Sequence, residues 1–404
     1  MKVLLFFFLS SIFTMELFSL GDNIYLLRIL TPISFFAVLI NYFLSVFYFK
    51  NKSKMSFLSK ILIAYFVYYF FHTSIVSAFQ YFGNDVLSSE FNDIINFIFL
   101  FFLCLTIVVF SDKKYFLKTF KIVNLFFYFL YLLFALYEIK TGFHFHMSNS
   151  VDAPIWAQKV PTVVYHNSND FAAVFTLMFM FVFYSFYNKS SYNNKILFLT
   201  SFVHFFICYM AESRLSIIIL LIYLLICYHR FFIKISLASI IVISFFYFFM
   251  DDYFRYNFNH NFNVLLSDMT FNKRDSFFVR IYLYKYAVMS IFENFGMGLG
   301  IDASKNYFMS IKDPRLFYIV NPHSAFFELL INSGIIVTAF YVYLNIYVMR
   351  FLILLKKYNV FVQLILYNLI LFSSSSSLYL WPVYLFFVLY VAYLNFNIKS
   401  STKK

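Results

Sequence analysis

Residues 321–334 read NPHSAFFELLINSG, and they open an apolar segment that continues to Val348. The residues before them, 251–322, contain no apolar run long enough to cross a membrane. This long polar stretch therefore ends on an ionisable side chain, His323, at the start of an apolar segment. In a chain that is otherwise soluble in hydrocarbon, this arrangement predicts a site for chemistry at the boundary between membrane and water.

The rest of the chain is strongly apolar. Of its 404 residues, 63% are hydrophobic and only 12% are charged, which is more apolar surface than a soluble protein can bury. Apolar runs of about 20 residues recur from end to end and predict an all-α, polytopic membrane bundle in a single domain, 1–404. The first run lacks a small-residue cleavage site and is expected to remain as a helix. We predict twelve spans, at 3–20, 24–48, 57–80, 92–110, 116–138, 168–187, 196–211, 214–228, 234–250, 323–349, 359–376 and 378–398.

Basic residues are concentrated on one side of the predicted bundle. That side holds 19 of the 31 Lys and Arg residues but only one of the 18 acidic residues, Asp112. The positive-inside rule makes it the cytoplasmic side, so both termini lie inside and 81–91, 139–167 and 251–322 face outward. The net charge of +13 is then a sign of topology and of contact with anionic lipid, and not of nucleic-acid binding.

Metal and cofactor chemistry has little support in the sequence. Cys104, Cys208 and Cys227 all fall inside predicted spans without CxxC or CxxH spacing, which favours apolar packing. His144 and His146 form a single HxH pair, which does not make a metal site. We predict no cofactor and no metal.

Arg214 follows Glu212 and Ser213 at the outer end of a predicted hairpin between two spans. An arginine near membrane depth costs about 2.5–3.5 kcal/mol on insertion scales unless it pairs or reaches water. One interpretation is snorkelling or a salt bridge with Glu212. The other is a cation aimed into an outward-facing cavity, where it would hold an anionic ligand.

The long outer loop, 251–322, is predicted to contain an amphipathic helix over 277–294. Arg280 lies on its polar side, as a solvated charge on an interfacial helix or as a functional cation. Three of the seven glycines follow in Gly296-Met297-Gly298-Leu299-Gly300, where we expect them to end the helix and turn the chain back to the membrane. The apolar positions of the helix recur every three or four residues: Phe277, Ile281, Tyr284, Val288 and Ile291.

His323 follows Pro322, which favours a helix start. A lone histidine at a helix end is most often capped and solvated. Here Glu328 lies one and a half turns further on, where a carboxylate is costly, so a functional interpretation stays open. Ahead of the sixth span, Asn167, Asn169 and Asp170 could cap that helix, whereas His72 and His204 look isolated and interfacial.

These motifs, taken in order, resemble the O-antigen polymerase and O-antigen ligase superfamily of bacterial envelope glycosyltransferases. The resemblance covers roughly residues 160–345. Ser324 replaces the usual Asn after the histidine, and Tyr284 replaces a Trp four residues after the loop arginine. The matching elements are Asn167 to Ala172, Ser213-Arg214, Arg280 with the Gly-x-Gly that follows it, and His323 to Gly334.

The resemblance implies a GT-C-like bundle in the bacterial inner membrane that acts on an undecaprenyl-diphosphate-linked oligosaccharide. It implies that Arg214 and Arg280 hold the diphosphate and that His323 is the base on the acceptor hydroxyl. No DxD-type pair stands near these residues in the sequence, so we predict that the reaction needs no metal. A polymerase of surface polysaccharide is the leading hypothesis; an O-antigen ligase and a flippase or transporter are the alternatives. A chain-length regulator and a repeat-unit flippase are candidate partners. Supporting roles are expected for Glu328, Asn321, Asn169, Gly298 and Gly300.

Overall fold

In the computed structural model, all regular secondary structure among the described residues is helical. The described residues are 1–14, 26–47, 55–83, 91–113, 115–144, 159–165, 167–186, 191–249, 276–311, 313–316, 324–373 and 381–401. No strand occurs among them, so the all-α prediction is confirmed there. The α-helices are α1 Lys2–Thr14, α2 Leu26–Phe47, α3 Phe57–Gly83, α4 Phe91–Ser111, α5 Phe116–Thr141, α6 Ser168–Phe186, α7 Ser191–Met210, α8 Arg214–Phe249, α9 Ser276–Glu293, α10 Ala303–Ser310, α11 Ala325–Leu354, α12 Tyr358–Ser373 and α13 Trp381–Ser401.

Five of the described helices are long and apolar enough to cross a membrane. They are Phe57–Gln80, Asp93–Ser111, Phe116–Thr141, Ser168–Phe186 and Ala325–Leu354, and six shorter apolar helices accompany them. The chain is therefore a polytopic helical membrane protein. Every predicted span overlaps with a helix among the described residues, and the number twelve stays a prediction.

Two predicted spans, 214–228 and 234–250, overlap with α8, whose two helical parts join at a kink, so the predicted inner connection between them is not an irregular loop. Only Tyr228 departs from helical geometry, with φ −146° and ψ 45°. The Tyr228 side chain is buried, and its ring centroid lies 4.6 Å from that of Phe183 and 5.6 Å from that of Tyr223. Aromatic packing therefore surrounds this kink.

The chain divides into two compact units. Unit 1 comprises residues 1–123, 276–364 and 371–404, and unit 2 comprises 124–275 and 365–370. In unit 2, α6 packs against α7 and α8. His204 of α7 is fully buried between the rings of Phe175 and Phe179, with centroids 4.4 and 4.5 Å away. The interfacial position predicted for His204 is therefore wrong.

In unit 1, α9 packs along α11. Val279, Leu283 and Ala287 are buried at a spacing of four residues, which places them on one face of α9. They form a core with residues of α10 and α11. The helix predicted over 277–294 is confirmed, and two of its predicted apolar positions, Ile281 and Val288, lie outside this core with 44% and 40% of their surface exposed.

Candidate active site

The first turn of α11 is set by a serine cap. The helix begins at Ala325, and the Ser324 hydroxyl accepts a hydrogen bond from the Phe327 N–H at 3.3 Å. Ser324, noted in the sequence as a replacement for Asn, therefore performs the capping that satisfies an otherwise unpaired donor. His323 and Asn321 lie outside the described residues, and their roles remain predictions.

Glu328 is buried in unit 1, with 4% of its surface exposed. It lies close enough to Tyr69 of α3 and Tyr384 of α13 to interact with both electrostatically. Tyr69 hydrogen-bonds with Ser333 and Tyr384, and Thr73 donates to the Ser333 hydroxyl at 2.9 Å. The costly carboxylate thus sits beside a cluster of hydroxyl groups from three helices, which provide the polar surroundings that a buried charge requires.

Sequence reasoning missed the contribution of α3, although a signal was present. Tyr69, Thr73 and Ser77 recur at intervals of four residues and therefore share one face of this apolar helix. All three hydroxyl groups make hydrogen bonds to residues outside α3. A polar stripe along a membrane span is costly unless it is satisfied within the bundle, so this spacing could have identified α3 as part of the region.

Arg280 is half-buried on α9, one helical turn before Tyr284. The Tyr284 ring stacks on Phe327 of α11, with centroids 4.2 Å apart and an interplanar angle of 16°. Burial raises the pKa of the Tyr284 hydroxyl, and the nearby charge of Arg280 acts in the opposite direction. The stack therefore fixes the arginine-bearing part of α9 to the first turn of α11.

The helix α11 is interrupted at Gly334, which has φ 78° and ψ −176°. The interruption removes helical hydrogen bonds, and residues 296–300, here called the glycine loop, replace them. Leu299 N–H donates to the Ile331 carbonyl at 2.8 Å, and Gly300 N–H donates to the Asn332 carbonyl at 2.9 Å. In return, Ile335 N–H donates to the Gly296 carbonyl at 2.9 Å. The loop thus satisfies the backbone groups that the break exposes.

The glycines of this loop are required by close approach. A Cβ atom on Gly298 would lie 2.6 Å from the Gly334 nitrogen, and one on Gly334 would overlap the Gly296 carbonyl oxygen. A Cβ atom on Gly300 would lie 2.6 Å from the Ser77 hydroxyl oxygen. The expected role of Gly298 and Gly300 in turning the chain is therefore incomplete, because both also let the loop lie directly on its neighbours.

The helix α9 is ended by a phenylalanine and not by a glycine. Phe295 takes the left-handed conformation, with φ 52°, and the Gly296 N–H donates to the Ile291 carbonyl at 2.7 Å. This is the Schellman arrangement that commonly closes helices, with the left-handed position occupied by Phe295. The prediction that the glycine cluster ends the helix is correct only in that Gly296 takes part.

Further contacts tie the glycine loop to its surroundings in unit 1. His72 Nε2 of α3 lies 3.0 Å from the Met297 carbonyl oxygen, so His72 is not isolated as predicted. Ile301 N–H donates to the Ser77 hydroxyl at 2.6 Å. The side-chain oxygen of Asn332 accepts from the Ser304 N–H at 3.0 Å, at the start of α10. The loop, α3, α10 and the outer half of α11 therefore form one hydrogen-bonded assembly.

Arg214 is the first residue of α8 in unit 2 and is half-buried. The chain reaches it through a turn in which Glu212 has φ 57° and Ser213 is buried, with the Ser213 hydroxyl donating to Ser216 at 2.9 Å. Arg280 belongs to unit 1. The convergence of the two arginines on one ligand stays a prediction.

The entry to α6 is a helix cap. The side-chain oxygen of Asn167 accepts from the Asp170 N–H at 2.9 Å, and its amide nitrogen donates to the Asp170 carboxylate at 2.6 Å. Capping by Asn167 and Asp170 is therefore confirmed. Asn169 is half-buried in the same first turn, and its supporting role remains a prediction.

A buried carboxylate that sequence reasoning did not single out fixes the segment before α6. Glu138 has no exposed surface and accepts hydrogen bonds from the backbone N–H groups of Thr162 and Val163 at 2.8 and 2.9 Å. His144 Nδ1 lies 3.5 Å from the same carboxylate oxygen and 3.2 Å from the Thr162 hydroxyl. The His144 side chain is thus part of a structural cluster at the end of α5.

The fold defines the class as an integral membrane protein, and comparison with known families narrows that class. Residues 196–342 match the model of the family described as O-antigen ligase. This segment, less than half of the chain, contains Arg214, Arg280, the glycine loop, His323 and Glu328. The resemblance to the O-antigen polymerase and ligase superfamily is therefore confirmed over these residues, and it implies membrane glycosyltransferase or ligase-type activity. No curated protein and no solved structure matches the chain.

Proposed function

We propose that the protein is a polysaccharide polymerase of the bacterial cytoplasmic membrane. It moves a growing glycan from its undecaprenyl diphosphate carrier onto the non-reducing end of a new lipid-linked repeat unit. The observation that carries the proposal is the family match over 196–342, because one continuous segment includes both arginines, the glycine loop and His323. A lipid-linked glycan keeps its tail in hydrocarbon and its sugars in water, which suits a site at the outer interface.

The proposed chemistry is a glycosyl transfer. The acceptor hydroxyl oxygen attacks the anomeric carbon of the donor and forms the new glycosidic bond, while His323 takes the hydroxyl proton. The bond from the anomeric carbon to the diphosphate breaks, and its electron pair leaves with undecaprenyl diphosphate. General-base help of this kind is typically worth about 10²–10⁴-fold in rate. The reaction needs no metal in this scheme, because guanidinium groups neutralise the leaving charge.

The two arginines suit the leaving group. A guanidinium presents parallel N–H donors that match phosphate oxygens, and fixed donors stabilise charge that develops during the reaction. Arg280 lies on α9, and the Tyr284–Phe327 stack attaches that helix to the first turn of α11. In the sequence, this turn follows His323, the proposed base. Arg214 begins α8 next to the buried Ser213. Both arginines are therefore proposed to hold the donor diphosphate.

Glu328, Asn321 and Asn169 are proposed to support the site without taking part in bond formation. Glu328 is buried one turn beyond the Ser324 cap, beside the hydroxyl groups of Tyr69 and Tyr384. A charge held there biases the field at the start of α11, where His323 is proposed to act. Neutral hydrogen-bonding groups such as Asn can orient sugar hydroxyls at the same boundary.

A second candidate is an O-antigen ligase, which transfers the finished glycan to lipid A core. The description of the matching family favours it directly. Both activities use the same donor and the same leaving group, so they differ only in the acceptor. Deletion of the protein distinguishes them: core carrying one repeat unit indicates the polymerase, and core carrying none indicates the ligase.

A flippase or transporter is the remaining alternative, and it commonly uses interrupted spans. Both α8 and α11 are interrupted. In α11, however, the carbonyl groups of Ile331 and Asn332 accept hydrogen bonds from the glycine loop and are therefore occupied. Purified protein in liposomes with lipid-linked repeats separates the classes, because longer product without translocation identifies the enzyme.

The proposed base is tested by His323→Ala, with His229→Ala as the matched control because His229 is an exposed histidine of α8. We expect His323→Ala to keep normal membrane insertion while glycan ladders collapse to single repeats, and His229→Ala to keep full ladders. Long ladders in the His323→Ala strain would reject the assignment.

In the same assay, Arg214→Lys and Arg280→Lys test the diphosphate site. Lysine keeps the charge but lacks the planar fork, so we expect most of the activity to be lost in each variant. Arg350→Lys, an exposed arginine of α11 on the predicted cytoplasmic side, is the control and should retain full activity. Unchanged turnover in Arg214→Lys and Arg280→Lys would indicate ordinary interfacial anchoring.

A further inference from the structure

The helix α9 has a second apolar face, opposite to the buried stripe of Val279, Leu283 and Ala287. This face is exposed, and the turn that follows the helix continues it. Lys285 is a charged residue on this face, and the exposed Glu293 lies at its margin, where its carboxylate accepts a hydrogen bond from the Tyr307 hydroxyl. The exposed apolar residues, with their exposed fractions, are Ile281 44%, Val288 40%, Met289 40%, Phe292 79%, Phe295 95% and Met297 46%.

Phe295 is the most exposed of these residues, and it occupies a position that glycine would fill more easily. Its backbone has φ 52°, a left-handed conformation that side chains with a Cβ atom rarely adopt. The Phe295 ring is 95% exposed, so burial within the protein contributes no stabilisation that would offset the strain of this turn. The ring is better explained by an apolar surrounding that lies outside the chain.

The position of the glycine loop along α11 indicates that the apolar surrounding of Phe295 is the hydrocarbon of a membrane. The helix has 30 residues and is therefore about 45 Å long, whereas about 20 residues cross a hydrocarbon core of about 30 Å. Arg350 is exposed near the predicted cytoplasmic end. Counting about 20 residues back from Arg350 places the outer edge of the hydrocarbon near Leu330, so Gly334 and the loop bonded to it lie just inside that edge.

This depth also explains the hydrogen bonding of the loop. Irregular backbone occurs at membrane depth only where protein satisfies its polar groups. Leu299 and Gly300 donate to carbonyl groups of α11, and Gly296 accepts from Ile335. The glycine loop lies in the segment predicted to face outward, and bonds of this kind are those that a segment at the edge of the bilayer requires.

The exposed apolar residues are continuous with surfaces that face lipid. A Cβ atom on Gly296 would lie 3.1 Å from Cγ2 of Ile335, and Ile335 is 51% exposed on a candidate span. On the other side, the Met297 carbonyl contacts His72 of α3. Within that span, Phe71 is 56% exposed and Ile75 is 53% exposed. The turn after α9 therefore adjoins two spans at their lipid-exposed faces.

We propose that Phe292, Phe295 and Met297 insert into the hydrocarbon of the outer leaflet and anchor the end of α9 in the membrane. The occupant of this surface is the acyl-chain region of the bilayer. Lys285 lies about two turns before Phe292 and extends its ammonium group to the anionic headgroups. This anchor does not depend on the proposed enzymatic activity.

The anchor is tested by nitroxide labelling of the full-length protein in liposomes of phosphatidylcholine and phosphatidylglycerol. Labels are placed singly at Phe292→Cys and Phe295→Cys in a Cys227→Ala background, because Cys104 and Cys208 are buried. Phe71→Cys on the span α3 provides the lipid reference. Lys305→Cys, an exposed charged residue of α10, provides the water reference.

We expect the ratio of oxygen to nickel-chelate collision rates at residues 292 and 295 to be several-fold above that at residue 305 and close to that at residue 71. Ratios close to that of residue 305 would overturn the anchor. Low collision rates with both reagents would also overturn it, because they would show that protein, such as a second copy of this chain, covers the surface. As a second reading, Phe295→Trp should add fluorescence that brominated lipid quenches beyond that of the two native tryptophans, and Lys305→Trp should add none that is quenched.

Discussion

Two long apolar helices are interrupted, and the two interruptions differ in kind. In α11 the break is at Gly334, with φ 78° and ψ −176°, and backbone groups of the glycine loop fill it. In α8 the break is at Tyr228, with φ −146° and ψ 45°, and the rings of Phe183 and Tyr223 surround it. The first break depends on hydrogen bonds to another segment, whereas side-chain packing surrounds the second.

This difference shows which kind of break can fix the position of one segment relative to another. Hydrogen bonds have defined directions and lengths, so the glycine loop fixes the outer half of α11 relative to α9 and α3. Aromatic packing tolerates several arrangements of similar energy. We therefore expect substitutions at the α11 break to be severe and to spread to α10, and conservative substitutions at the α8 break to be mild.

Gly334→Ala should have the largest effect. Its dihedral angles are almost exclusive to glycine, and a Cβ atom would overlap the Gly296 carbonyl oxygen. Strain and overpacking together should destabilise the protein by about 2–6 kcal/mol. The measurement is the unfolding transition in mild detergent, with Ile335→Ala, at the adjacent exposed residue, as the control. An unchanged transition in Gly334→Ala would show that the loop does not depend on this break.

Asn332→Leu should have an intermediate effect. Asn332 is buried, and its side-chain oxygen accepts from the Ser304 N–H, so leucine leaves that buried donor unpaired. The expected cost is about 1–3 kcal/mol. Hydrogen exchange should increase selectively over residues 303–310, with Lys305→Ala as an exposed control in the same helix. Uniform exchange across the chain would contradict a local role for this bond.

Tyr228→Phe should have the smallest effect. It keeps the ring that packs on Phe183 and Tyr223. The φ of residue 228 is negative, so its backbone conformation does not require glycine. A change of this size in a packed site usually costs less than about 1.5 kcal/mol. The same detergent unfolding assay applies. If this variant were as destabilised as Gly334→Ala, the contrast between the two breaks would not hold.

Much of the fold follows from apolar periodicity. Long apolar runs are predicted as helices because only helices satisfy the backbone in hydrocarbon, and the described helices agree. The start of α11 was placed within two residues, because Pro322 is a local signal for a helix beginning, whereas the capping role of Ser324 was not foreseen. Local chemistry thus identifies where these elements begin.

What sequence reasoning missed depends on contacts between distant residues. Both faces of α9 carry apolar side chains, so periodicity alone could not tell the face that packs on α11 from the exposed one. The requirement for glycine at position 298 became apparent only from its close contact with Gly334, which lies 36 positions further along the chain. His72 and His204 looked isolated because their contacts lie on other segments.

The bond from Thr73 to Ser333 joins residues separated by 260 positions, and the bond from Ile301 to Ser77 spans 224. During synthesis, α3 is made long before the residues that complete its hydroxyl stripe. Until then, the hydroxyl groups of Thr73 and Ser77 can bond to carbonyl groups of the preceding turn of α3 itself. Unit 1 can therefore acquire its final form only after nearly the whole chain has been translated, and a nascent chain stopped before residue 301 would wait in the membrane as an incomplete bundle.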